Sequence, residues 1–132
     1  MIGLDTNVLV RFLVQDDAEQ AALADEFLRE HCTHENPGWI NRIVLCELVW
    51  ILERAYGCSR EEVRNTLVGL CRSSELAVED PSSVWRAIEA YGSGRADFAD
   101  ALMVETNLLC ECEETVTFDR EAAGPRGARL LA

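Results

Sequence analysis

Asp5 follows the short apolar run Met1–Leu4, and Asp119 follows the strand candidate Thr115–Phe118, so each stands where a strand gives way to a turn. Glu47 is the only residue between Ile43 and Leu52 that is neither apolar nor cysteine. Asp97 and Asp100 lie three residues apart at the start of a third apolar segment, a spacing that puts both on one helix face. Ionised carboxylates gathered at one point repel, and such a cluster persists only when protons or hard cations neutralise it. Oxygen donors of this kind select Mg²⁺ or Mn²⁺ over zinc. An ion so held polarises a phosphodiester, activates a water and stabilises the leaving oxygen, which makes phosphodiester hydrolysis the reaction these residue types suit best. Thr6, Asn7 and Thr117 are the supporting residues beside the acids, and the two hydroxyls have the size to hold a metal-bound water or orient a carboxylate.

Each acid also has an ordinary structural explanation. Asp5 and Asp119 suit helix caps or Asx-turns, and Asp97 suits an N-cap, with Asp100 gaining from the helix dipole behind it. Glu47, buried without a partner, would cost several kcal/mol, so an ion pair with Arg11, Arg42 or Arg54 is its structural reading.

The elements that must position these groups follow from caps and periodicity. Met1–Leu4 reads as a strand, Asp5, Thr6 and Asn7 as a cap, and Val8–Val14 as a helix. The pairs Asp16/Glu19 and Asp17/Gln20 open a helix whose apolar positions are Leu23, Phe27 and Leu28, running to about Glu30. Residues 40–56 predict a long buried helix closed by Gly57. Ser59 with Glu62 opens the next, with Val63, Leu67 and Leu70 on one face, and Leu76–Val78 reads as a strand. Asp80 and Pro81 start a helix that carries Trp85, Ile88 and Tyr91 to Gly92, and a turn leads to another over about 97–109. Thr115–Phe118 and Ala128–Leu131 are the last strand candidates. Strands alternating with helices predict an α/β fold, a central mostly parallel sheet with helices on both faces and its site beyond the strands' carboxyl ends.

The chain has 132 residues, 48% of them hydrophobic and 27% charged, which fits one domain over 1–132 and excludes intrinsic disorder. No run approaches the roughly 20 apolar residues of a bilayer span, and no basic stretch precedes an apolar one at the start, so a cytoplasmic protein is expected. Six scattered cysteines without a Cys-x-x-Cys pair read as reduced, mostly buried thiols. Cys110–Glu114 reads as a loop whose Cys-x-Cys pair is incidental rather than a metal clip, and His31-Cys32-Thr33-His34, without a matching distant pair of ligands, reads as a helix end with histidines favourable near the C-terminal dipole. Trp39, Trp50 and Trp85 fall in apolar text and suit a core or a dimer interface. The net charge of −12 argues against a broad electrostatic grip on nucleic acid. All twelve cations are arginine, and the absence of lysine removes Schiff-base chemistry and the lysine that aspartyl-phosphate phosphatases and two-component receiver domains use.

The runs Ile2-Gly3-Leu4-Asp5-Thr6-Asn7, Cys46-Glu47-Leu48, Ala96-Asp97-Phe98-Ala99-Asp100-Ala101-Leu102 and Thr117-Phe118-Asp119 together resemble the PIN-domain ribonucleases of the VapC toxin type, in order and spacing, over nearly the whole chain. The resemblance implies a PIN-like fold and a Mg²⁺- or Mn²⁺-dependent endoribonuclease acting on tRNA or another structured RNA, a homodimer neutralised by a VapB-like antitoxin. Matched residue by residue, it makes Asp5 and Asp100 the principal metal ligands, with Glu47 and Asp119 completing the site and Asp97 an additional acid. Arg11, Arg42 and Arg95, close in sequence to the acidic motifs, are the candidates for contact with RNA or antitoxin. The rival reading keeps the fold as a non-catalytic binding or scaffold module whose acidic pocket serves a partner or an ion.

Overall fold

Asp5 decides where β1 (Ile2–Gly3) ends and α1 (Thr6–Val14) begins. Its backbone is still extended, and its Oδ1 accepts the Thr6 N–H at 2.8 Å, satisfying one of the amide donors that a helix start leaves open. The computed structural model describes residues 1–123 and 128–132. The chain divides into two compact units, Met1–Gly57 with Gly69–Glu79, and Cys58–Val68 with Asp80–Ala132.

In the first unit, α2 (Ala18–His31) is capped by Asp17, whose carboxylate accepts the Gln20 N–H at 3.0 Å. Leu28 is buried there, whereas Leu23 is 61% and Phe27 39% exposed, a departure from the expected apolar face. Ala21 and Ala24 take the inward positions instead, because α2 lies close against α1 and small side chains permit that approach. The long helix expected over 40–56 is also corrected. Gly38–Ile40 forms a strand, β2, and α3 (Arg42–Arg54) starts only after Asn41, whose side chain accepts the Val44 N–H at 2.9 Å. A three-residue strand is too short to show an alternation, and it runs straight into an apolar helix.

That strand is the centre of the sheet. β1, β2 and β3 (Leu76–Val78) pair in parallel in this order, with Ile2 opposite Gly38 and Gly38 opposite Leu76. A Cβ on Gly38 would stand 2.7 Å from Leu4 Cδ1 and 3.2 Å from Cys32 Sγ, so the close packing over the central strand needs a glycine. Leu4, Leu9, Val10, Ile40, Leu45, Leu48 and Leu52 are buried in the core of this unit.

α4 (Arg60–Arg72) opens on the capping box read from the sequence: the Ser59 N–H donates to Glu62 Oε1 at 3.0 Å, and the Glu62 N–H donates to Ser59 Oγ at 3.1 Å. Val63, Leu67 and Leu70 are buried along one face, as expected. In the second unit α5 (Pro81–Gly92) packs on α6 (Phe98–Leu109), and β4 (Val116–Thr117) pairs in parallel with β5 (Arg129–Leu130). Among the described residues every strand pair is therefore parallel, within an α/β architecture rich in helix. The cysteines are all free, and only Cys32 is buried; Cys110 and Cys112 are exposed, contrary to the expectation of mostly buried thiols.

Ser59→Ala should lower Tm by about 3 °C, a typical loss for an N-cap hydroxyl in a domain of this size. Hydrogen bonds from Ser59 hold the Glu62 carboxyl below its usual range. The stabilisation is therefore complete above about pH 4.3 and lost as pH falls through the lowered folded value, so the difference in Tm between wild type and variant should shrink in acid. Thermal melts of both proteins between pH 3 and 7 test this.

Candidate active site

Asp5 and Glu47 belong to the first unit, and one threonine joins them. Thr6 is buried; its N–H donates to Asp5 Oδ1, and its Oγ1 donates to Glu47 Oε1 at 2.7 Å. A hydroxyl with no freedom to swing fixes the glutamate's orientation at the C-terminal edge of β1. Of the two uses the sequence leaves open for the Thr6 hydroxyl, a metal-bound water or a carboxylate, the hydrogen bond present is to a carboxylate. Glu47 itself is exposed, not buried as the apolar text around it predicted. It shares an outward stripe of α3 with Ile43, 68% exposed, and Trp50, 57% exposed, while Arg54 lies 5.4 Å from the centre of the Trp50 ring. The apolar residues of α3 thus cover two faces, and among the described residues Glu47 makes no ion pair with Arg11, Arg42 or Arg54. Trp50 is accordingly not a core residue, and Trp39 and Trp85 are half-buried.

Asp5 and Asn7 border an open groove of about 500 Å³ between α1 and α2, with Val8, Leu23 and Phe27 along its apolar side. Arg11 also reaches this groove but is occupied: its Nε donates to Gln20 Oε1 at 2.6 Å and its Nη1 to Asp16 Oδ1 at 3.1 Å. Asp16 in turn accepts the Tyr56 hydroxyl at 2.8 Å, which is the main reason its carboxyl sits below the usual range. Arg42 is engaged as well. Its N–H donates to Glu79 Oε1 at 3.0 Å, and its Nε lies 3.3 Å from Glu79 Oε2, tying the start of α3 to the end of β3. Both arginines hold the fold in addition to any contact they make outside it; Arg95 is exposed.

The second unit places Asp97 and Asp119 each within electrostatic reach of Asp100. Asp97 is the N-cap of α6 by position, yet its carboxylate makes no capping hydrogen bond, which leaves those oxygens for other work. Asp100, half-buried in the first turn, has its carboxyl pushed above the usual range, first by burial and then by the charges of Asp97 and Asp119. Asp119 is exposed and shaped by a local turn, its Oδ1 accepting the Glu121 N–H and its own N–H donating to Thr117 Oγ1, both at 2.9 Å. Thr117 therefore fixes the backbone that presents Asp119. The donor chemistry, oxygen only and mutually repulsive, fits a hard divalent cation, although among the described residues no three His, Cys, Asp or Glu side chains are grouped tightly enough to hold one. Glu105, buried on α6, went unnoticed in the sequence; the signal was a charge after the apolar run Ala101–Val104, the same kind that singled out Glu47.

The PIN domain family profile matches residues 2–125. The chain belongs to the PIN domain family. A curated relative of this PIN domain, the VapC ribonuclease of Aquifex aeolicus (strain VF5), is 26% identical over 117 residues, which cover 89% of the chain and 86% of the relative. No solved structure matches this PIN domain. Its membership accords with the α/β architecture and the parallel pairing described above, and among the described residues no helix is long and apolar enough to cross a membrane.

Because the folded state raises the Asp100 pKa, its ionised form opposes folding at neutral pH, and that cost disappears below the unfolded value of about 3.9. Asp100→Asn should therefore raise the Tm of the metal-free protein at pH 7 by about 1–3 °C after solvent screening, with the gain vanishing near pH 3. An unchanged or lowered Tm at pH 7 would show that the neighbouring charges do not act on Asp100.

Proposed function

We propose that this chain is a VapC-like endoribonuclease toxin, a single domain over 1–132, dependent on Mg²⁺ or Mn²⁺. The observation that carries the reading is the family match over residues 2–125, together with the crowding of Asp97, Asp100 and Asp119 in one unit. The similarity to a VapC ribonuclease extends the reading to RNA hydrolysis, with tRNA or another structured RNA as substrate and a VapB-like antitoxin as the neutralising partner. A homodimer in the cytoplasm completes it.

In this reading Asp100 and Asp119 are metal ligands, with Asp97 as an additional one, and Asp5 and Glu47 take the ligand and water-positioning roles that the resemblance gives them. When bound, the divalent ion supplies Lewis-acid polarisation of the phosphodiester and stabilisation of the leaving oxygen. Thr6 holds Glu47 in a fixed orientation, so the carboxylate meets a water without first giving up rotamer freedom. The Asx-turn at Asp119 does the same for that side chain through the backbone. Arg95 is the exposed cation best placed in sequence to meet a phosphate or the antitoxin, while Arg11 and Arg42 act mainly within the fold.

The second reading, a non-catalytic scaffold, draws support from the lack of a tight three-ligand group among the described residues. Cleavage of total tRNA and of a structured transcript by the purified chain, with Mg²⁺, Mn²⁺ or a chelator, separates the two. Cleavage should require the ion, and Asp5→Asn and Asp100→Asn should each reduce it by at least about 100-fold, the upper end of what losing even an outer-shell partner costs. Equal activity in the variants, or none in any protein with any RNA, supports the scaffold.

A further inference from the structure

The acids of the second unit need the start of α6 to stay in place, and that start follows a segment of weak conformers. Gly92-Ser93-Gly94-Arg95-Ala96 joins α5 to Asp97, with Gly94 at φ +92°. A chain of this composition does not fix its own path. Arg60, the first residue of α4, spans it. One nitrogen, Nη1, donates to the carbonyl of Tyr91 at 3.0 Å, in the last turn of α5, and to the carbonyl of Ala96 at 2.8 Å, immediately before Asp97. The two ends of the segment thus hang on one guanidinium.

Its plane is held in turn. The Arg60 guanidinium carbon lies 4.6 Å from the centre of the Tyr91 ring, and that ring, fully buried, meets Phe98 edge-on with centroids 6.2 Å apart and planes at 87°. Phe98 is the first residue of α6 and follows Asp97 directly. Arg64, one turn after Arg60, lies over Gly92, where an added Cβ would come within 3.2 Å of its Cδ. A cation stacked on an aromatic face and hydrogen-bonded to carbonyls is attracted by both, and a planar fork loses less freedom in doing so than an ammonium.

From this we infer that Arg60 is a positioning residue for the carboxylates of α6: it fixes the 92–97 segment, and through it the placing of Asp97 and Asp100 for a divalent cation. The inference rests on the metal-dependent reading proposed above. Arg60 touches no acid of the set in these contacts and acts only through the backbone and the Tyr91–Phe98 pair.

The test compares the full chain with Arg60→Met and Arg60→Lys, each checked for folding by circular dichroism and kept well below its Tm. Mn²⁺ affinity is measured by titration calorimetry, and amide hydrogen exchange is followed over residues 93–98 in metal-free protein. Arg60→Met should weaken Mn²⁺ binding by about 10-fold, the range for an outer-shell partner, and raise exchange at 93–98 while core amides of α5 keep their protection. Arg60→Lys, which keeps the charge and a donor, should recover part of both. Wild-type affinity and wild-type exchange in a folded Arg60→Met overturn the inference, as does a uniform rise in exchange across the unit, which marks a merely structural role. If the wild type itself binds no Mn²⁺, the metal reading fails separately, and the exchange arm still decides whether Arg60 holds the segment. If Arg60→Met does not fold, Arg60→Lys decides alone: faster exchange confined to 93–98 supports the role, and unchanged exchange overturns it.

Discussion

Repulsion among ionised carboxylates is the constraint from which the functional account follows. In water, neighbouring acids avoid one another at little cost; held by a helix start and a turn, they cannot. The first turn of α6 presents Asp97 and Asp100 three residues apart, and the turn after β4 presents Asp119; Asp100 gives up its proton less readily than a free aspartate, first because it is half-buried and then because of these two charges. Folding has therefore been made to tolerate an unfavourable charge distribution. Structural acids elsewhere in the chain are relieved instead: Asp16 by Tyr56 and Arg11, Glu114 by Arg129, Glu62 by Ser59. The contrast between these relieved acids and Asp100 is what the proposed cation site rests on.

The same contrast explains how the chain spends its twelve arginines against twenty-four acids. Arg11 bridges α1 to the α2 cap, Arg42 ties α3 to β3, Arg60 spans the approach to α6, and Arg129 pairs with Glu114 beside the β4–β5 ladder. These contacts engage four of the twelve, and at a net charge of −12 recognition of a polyanion depends on local contacts more than on a general field.

How much was legible beforehand follows from which interactions are local. Caps are local, and Asp5, Asp17 and Ser59 with Glu62 mark helix starts through side chains legible in the sequence, whereas Asn41, between Ile40 and Arg42 at the edge of an apolar run, caps α3 without such a signal. The central strand was not legible because three residues that run straight into an apolar helix are too few to show a period. Glu47 shows a different limit. Apolar neighbours suggested burial, yet α3 exposes Ile43 and Trp50 beside it, and only the tertiary contact with Thr6 reveals what orients the carboxylate. Arg60 was illegible for the same reason, since its partners, Tyr91 and Ala96, lie more than thirty residues away.

The account turns on whether a hard cation relieves the crowding around Asp100, and carboxyl carbon NMR of the aspartates, titrated against pH with and without Mg²⁺, reads that directly. Asp100 should titrate above an ordinary aspartate in the metal-free protein, and saturating Mg²⁺ should move its midpoint downward, because the cation favours the ionised form. An Asp100 midpoint that is ordinary without Mg²⁺, or that stays raised in its presence, would contradict the claim.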